Sequence, residues 1–225
     1  SDNNGNSSSS LPINYKNTYA EIYNQVMQQE KAATKARNYK SILEANLFAN
    51  NIPTKVYTNL LDVASNNSGS IKKYYELRKK YLGLKNHYSY DRFIDLASSD
   101  KKYSFEDAKK LFFDSIKKCP KDFIDKAHEV LKDGFVDVYE HDGKRSGAYS
   151  SSVPSTHPFI LLNYASTLDD VFTVAHESGH SIHSLYSQES QPDKLQDYTI
   201  FVAEIASTFN EHMLLDYLLS LPSIS

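Results

Sequence analysis

Apolar residues recur at three- and four-residue spacing over 14–50, at Ala20, Tyr23, Met27, Ala36, Tyr39, Leu43 and Leu47, which predicts helix. Asn50-Asn51-Ile52-Pro53 breaks it. A second helix over 53–65 runs to a polar stop ending at Gly69, and a third over 70–81 is rich in Lys and Arg and ends at Gly83. Ser104 with Asp107 makes a capping box for a helix over 105–118, and Pro120 opens another over 121–132. The texture changes at Asp133-Gly134. Residues 135–139 are β-branched and aromatic, Asp142-Gly143 predicts a two-residue hairpin turn, and 144–151 would be the returning strand. The apolar run 159–162 predicts a further, buried strand. Thr167 with Asp170 caps a helix from 168 to about 187. A polar connector, 188–197, leads to a last helix over 198–220, stopped by Pro222. The pattern predicts a mainly α chain with one small sheet ahead of two final helices. Its expected divisions are a disordered leader or junction at 1–10, a helical subdomain at 11–132 and a segment at 133–225 that carries the chemistry.

Composition narrows the function. The 225 residues are 40% hydrophobic and 12% aromatic, enough for a core. With 25 basic and 28 acidic side chains the net charge is -3, so nothing is in excess to neutralise phosphates and nucleic acid is excluded as the main partner. No apolar run approaches the roughly 20 residues that span a bilayer. A single cysteine, Cys119, excludes an intramolecular disulfide framework and multi-cysteine zinc modules. Any metal must be held by histidine and carboxylate. With no charged-then-apolar leader, the expected location is cytoplasmic.

The chemistry concentrates in His176-Glu177-Ser178-Gly179-His180. Residues four apart on a helix share a face about 6 Å apart along the axis, so two imidazoles converge on one Zn²⁺. Glu177 lies beside them, placed to act as a base on water rather than as a ligand. The bland alternative is a surface helix with ordinary His and Glu. Val171, Phe172, Val174, Ala175 and Ile182 argue instead for a motif near the core. A third ligand is required. Glu204, 24 residues after His180, is set among Phe201, Val202, Ala203, Ile205 and Ala206, where a lone carboxylate is costly unless a cation holds it; the alternative is a buried salt bridge. Glu189, Asp193 and Asp197 read as solvated, and Asp216 as too distant. His183 shares the face but reads as a packing or ligand-supporting residue. Glu211, seven after Glu204 on the same face, could orient a ligand histidine through its other ring nitrogen; the alternative is a solvated helix-face glutamate. His212 and Cys119 read as structural; His87, His128 and His141 read as surface residues.

The strings GKRSGAYS (143–150), HPFILLNY (157–164), DDVFTVAHESGHSIHS (169–184) and DYTIFVAEIASTFNE (197–211) together resemble the thimet oligopeptidase family of zinc metallopeptidases, its oligoendopeptidase F branch most closely. The resemblance implies a multi-helix zincin-type peptidase core with zinc held by His176, His180 and Glu204. It implies Glu177 as catalytic base and short peptides as substrates. It also implies an edge strand around Gly147, Ala148 and Tyr149 that pairs with the substrate backbone. Family members are much longer, so the chain is expected to be a piece of a peptidase that binds zinc and cleaves weakly or not at all. Leu214, Leu215, Leu218 and Leu219 are then expected to be uncovered and to drive self-association. Two other readings stay open: a helical scaffold with a structural zinc or no metal, and a zinc hydrolase with non-peptide substrates.

Overall fold

The computed structural model describes residues 15–96 and 101–222, so the expected leader at 1–10 lies outside the described residues. Two compact units divide after Leu96, and the expected division at 132/133 falls inside the second.

The first unit is helical: α1 (Lys16–Ala36), α2 (Ile42–Phe48), α3 (Thr54–Asn66), α4 (Gly69–Tyr81) and a 3₁₀ turn, Ser89–Phe93. The single helix expected over 14–50 is two. Asn38 takes a left-handed conformation at φ 61°, which Asn tolerates, and Ser41 caps α2 by accepting from the Glu44 amide. The apolar rhythm runs through the break because Tyr39, in the turn, packs its ring on Phe48. Gly83 ends α4 at φ 66°, as its position predicts. Among the described residues of this unit no large apolar side chain is fully buried. The buried groups are Thr34, Arg78 and Asp91. Arg78 donates to the carbonyls of Asp91 and Ile94 at 2.9 and 2.6 Å, pinning the 3₁₀ turn to α4.

The second unit holds α5 (Phe105–Ile116), α6 (Lys121–Val130), β1 (Val136–Asp137), β2 (Tyr149–Ser151), β3 (Phe159–Leu161), α7 (Leu168–Ser190) and α8 (Ile200–Leu219). Both capping boxes, Ser104–Asp107 and Thr167–Asp170, form as read. The expected hairpin does not. β3 lies between the other two strands, parallel to β1 and antiparallel to β2. The physical reason is burial: Ile160 and Leu162 need cover, so the apolar strand takes the centre and the polar 149–151 segment an edge. Asp142-Gly143 still turns the chain, with Gly143 at φ 82°, and Lys144 folds back onto the carbonyls of Asp137 and Tyr139.

The core gathers around α7. Val171, Val174, Ala175 and Ile182 pack with Phe112, Ile116, Val130, Ile160, Leu162 and Leu214. The four leucines expected to be uncovered split by helical phase: Leu214 and Leu218 are buried, Leu215 and Leu219 exposed. No helix among the described residues is long and apolar enough to cross a membrane.

Candidate metal centre

α7 and α8 pack along each other, and their contact builds the site. His176 and His180, one turn apart on α7, point their Nε2 atoms at each other at 3.2 Å. Glu204 on α8 brings Oε2 to 3.5 Å from His176 Nε2 and 3.6 Å from His180 Nε2. These three residues are the group among the described residues whose ligand atoms converge. Two nitrogens bound tetrahedrally to one zinc at about 2.0–2.1 Å stand about 3.3 Å apart, close to what is seen.

The proton positions favour a cation. His176 Nδ1 lies 2.5 Å from Glu211 Oε1, and an ionised carboxylate only accepts, so the ring proton sits on Nδ1 and leaves the Nε2 lone pair free. Burial, first, and the neighbouring His176 push the pKa of His180 below the ordinary value, keeping it neutral. The His176 lone pair thus faces the Glu204 carboxylate oxygen and His180 Nε2, an arrangement that a metal ion resolves.

Glu177 projects beside the histidines and is 6% exposed. Its Oε2 is buried without a hydrogen-bond partner. Burial raises its pKa above the ordinary carboxylate range, against the pull of His176 and of the Ser150 backbone. The same strand is tied to α7 by a 2.8 Å bond between the Ser150 and Ser181 hydroxyls. β2 is an edge strand, so its outer backbone edge is free of sheet pairing. Of the three residues expected to meet substrate, Tyr149 begins β2, while Gly147 and Ala148 lead into it; Gly147 sits at φ 93° with its carbonyl held by Asn163 Nδ2.

The other candidate residues differ in where the structure places them. Glu204 is not a buried carboxylate: its side chain is 50% exposed and its neighbours Phe201 and Ile205 are exposed too. Geometry, rather than desolvation, singles it out. His183 stands apart from the metal group and stacks on Tyr198 at 3.8 Å, whose hydroxyl donates to the His180 carbonyl. Glu189 is exposed, as read, and pairs with Lys126 at 2.6 Å from the last turn of α7. His87 lies against Tyr75 with Nε2 buried and is not a surface residue, whereas His128 is exposed as read, with its ring against Phe113. His212 is exposed and His141 is exposed.

Three residues escaped the sequence reading. Ser207 donates to Glu204 Oε2 at 2.7 Å. Asn210, fully buried, donates to the Ala175 carbonyl. Gly179 lies where α8 comes close: a Cβ there would be 2.7 Å from the Ala206 carbonyl oxygen. Only the glycine left a signal, since Gly inside a helix costs about 1 kcal/mol against Ala and needs a reason.

A mainly helical fold that presents two imidazoles from one helix and a carboxylate from the next is an arrangement used by metallopeptidases. Residues 8–223 match the model of Peptidase family M3, and the chain belongs to that family. It is 38% identical over 207 residues to oligopeptidase PepF of Bacillus subtilis, covering 92% of this chain and 31% of that one. An oligoendopeptidase F homolog of Lactococcus lactis is 39% identical over 205 residues, covering 91% and 34%. Among solved structures, one from Chlamydophila abortus superposes with TM-score 0.78 at 44% identity, over 92% of this chain and 35% of that one. Oligoendopeptidase F from Enterococcus faecium superposes with TM-score 0.61 at 28% identity, over 93% and 30%. The chain spans about a third of the length of the relatives it matches.

Proposed function

We propose that this chain carries the zinc centre of an oligoendopeptidase that hydrolyses short peptides, with His176, His180 and Glu204 as ligands and Glu177 as catalytic base. The convergence of three electron-rich ligand atoms carries the reading. When bound, zinc supplies a Lewis acid and lowers the pKa of water toward about 7. Glu211 holds the His176 tautomer that offers Nε2. Glu177, with a free buried oxygen and a raised pKa, accepts a proton from the attacking water and returns it to the leaving amine. The outer edge of β2, entered through Gly147 and Ala148, holds the peptide backbone as an added strand, which favours peptides over other hydrolysable substrates.

A structural zinc fills four positions with protein atoms. Three residues converge here, and no fourth His, Cys, Asp or Glu joins them among the described residues, which supports a catalytic site over a structural one. The chain by itself is proposed to bind zinc and to turn peptides over weakly or not at all: it spans about a third of the relatives' length, and loss of any substrate-positioning or oxyanion-stabilising group is costly in rate. Self-association is proposed through exposed apolar residues of α8, namely Ile200, Phe201, Ile205 and Leu219, rather than through Leu214 or Leu218. A lone free cysteine, Cys119, fits a cytoplasmic location.

The test is metal analysis of wild type beside Glu204→Gln, paired with cleavage of a quenched peptide. Stoichiometric zinc in the wild type and a loss of at least tenfold in affinity in the variant are expected; equal zinc in both removes Glu204 from the ligand set. A concentration-independent monomer in light scattering ends the self-association proposal.

A further inference from the structure

Glu204 is half exposed and its carboxylate is tethered to α8 alone, yet its Oε2 stands almost equidistant from two imidazoles on α7. Something must fix both the carboxylate rotamer and the distance between the helices. We infer that Ser207 and Gly179 are positioning residues for the third ligand. Ser207 holds the Glu204 carboxylate, and Gly179 sets the helix spacing that lets it reach the histidines. The inference rests on the metal reading above.

Ser207 is fully buried at the α7–α8 contact. Its hydroxyl donates at 2.7 Å to Oε2, the same oxygen that faces His176 and His180. A carboxylate in water-accessible surroundings samples several rotamers. One hydrogen bond from a buried, immobile hydroxyl selects the rotamer that aims at the imidazoles, and supporting partners of this kind are commonly worth 10–100-fold in metal affinity.

Gly179 meets α8 at the same point. A Cβ built on it would lie 2.7 Å from the Ala206 carbonyl oxygen, 2.8 Å from Ser207 Cα and 3.0 Å from the Ala206 carbonyl carbon. All three are backbone atoms, so no side chain can swing aside. The helices themselves must part, and Glu204 with its Ser207 tether moves away from His176 and His180. Gly179 stands between the two histidines in sequence and Ser207 lies one turn past Glu204, so this close backbone contact sits within one turn of all three proposed ligands. Two further bonds fix the register at the neighbouring turn: Asn210 to the Ala175 carbonyl and Glu211 to His176 Nδ1. Residues 207, 210 and 211 of α8 thus engage 179, 175 and 176 of α7.

The experiment compares wild type, Ser207→Ala, Gly179→Ala and Glu204→Gln, reading zinc affinity by competition with a chromophoric chelator and thermal unfolding of the metal-free protein. Ser207→Ala is expected to weaken zinc binding by about 10–100-fold while the metal-free melting temperature stays within a few degrees of wild type. Gly179→Ala is expected to weaken binding at least as much; where it fails to fold, Ser207→Ala decides. Wild-type affinity in Ser207→Ala alongside weakened affinity in Glu204→Gln overturns the inference and leaves the metal reading intact. A metal-free protein destabilised in step with the affinity loss also overturns it, since the hydroxyl would then serve the fold. Unchanged affinity in Glu204→Gln brings down the metal reading itself.

Discussion

The two units carry equally good helical patterns and use them differently. In the second, α5 buries Ala108, Phe112 and Ile116, four residues apart in turn, and α7 buries Val171, Val174, Ala175 and Ile182. In the first, the apolar positions of α3, Val56, Tyr57, Leu60, Leu61 and Val63, are all exposed, and so are Ile71, Tyr74 and Leu77 of α4. What the first unit buries is a guanidinium on backbone carbonyls. An apolar stripe says which face of a helix wants cover; it does not supply the cover. The candidate ligand group sits in the unit where burial fixes positions, as a metal centre of the kind proposed requires, since its ligands must be held to within fractions of an ångström.

The largest effect that separates the units is a core truncation. Phe112→Ala, in the second unit, is expected to cost about 3–5 kcal/mol in denaturant unfolding, whereas Leu60→Ala, in the first, stays within about 0.5 kcal/mol. Equal costs would erase the contrast. Next comes Tyr164, whose hydroxyl donates to the Tyr103 and Ser104 carbonyls. Tyr164→Phe is expected to cost about 1–2 kcal/mol. Burial pushes its pKa up to about 12. The neutral phenol is favoured in the folded state, so this contribution is whole below about pH 10 and is lost as pH rises from there toward 12. An alkaline limb of unfolding that Tyr164→Phe removes would sharpen the assignment. Smaller still are the caps. Thr167→Ala is expected to lower global stability by about 1 kcal/mol, while Ser41→Ala, the same kind of cap in the first unit, speeds amide exchange in α2 without moving the global transition. Finally, brief proteolysis is expected to cut within 15–96 while the second unit persists; cuts spread evenly over both units would count against the comparison.

Much of the site could be read in the chain. HESGH places two imidazoles and a carboxylate on one helix turn because helical geometry is local, and Thr167–Asp170 and Ser104–Asp107 announce their helices because a cap is made within four residues. Glu204 does come within 3.6 Å of both imidazoles, but not for the reason its surroundings suggest: apolar neighbours in sequence imply a buried carboxylate, whereas on a helix those neighbours spread around the axis and leave the group half exposed. The hairpin failed for a related cause. Asp142-Gly143 does turn, yet turn chemistry cannot say which strand comes to lie beside β1, and the demand of Ile160 and Leu162 for burial put β3 there.

The sequence by itself determined most of the helices, the two capping boxes and the residue types of the candidate ligand group with their spacing on α7, since each depends on contacts a few residues long. Only the tertiary structure decided the strand order, the exposure of Glu204, and the meeting of Ser207 and Gly179 that brings α8 against α7. Those depend on which surfaces meet across tens of residues, where one backbone must come close enough to another that a single methyl group would hold them apart.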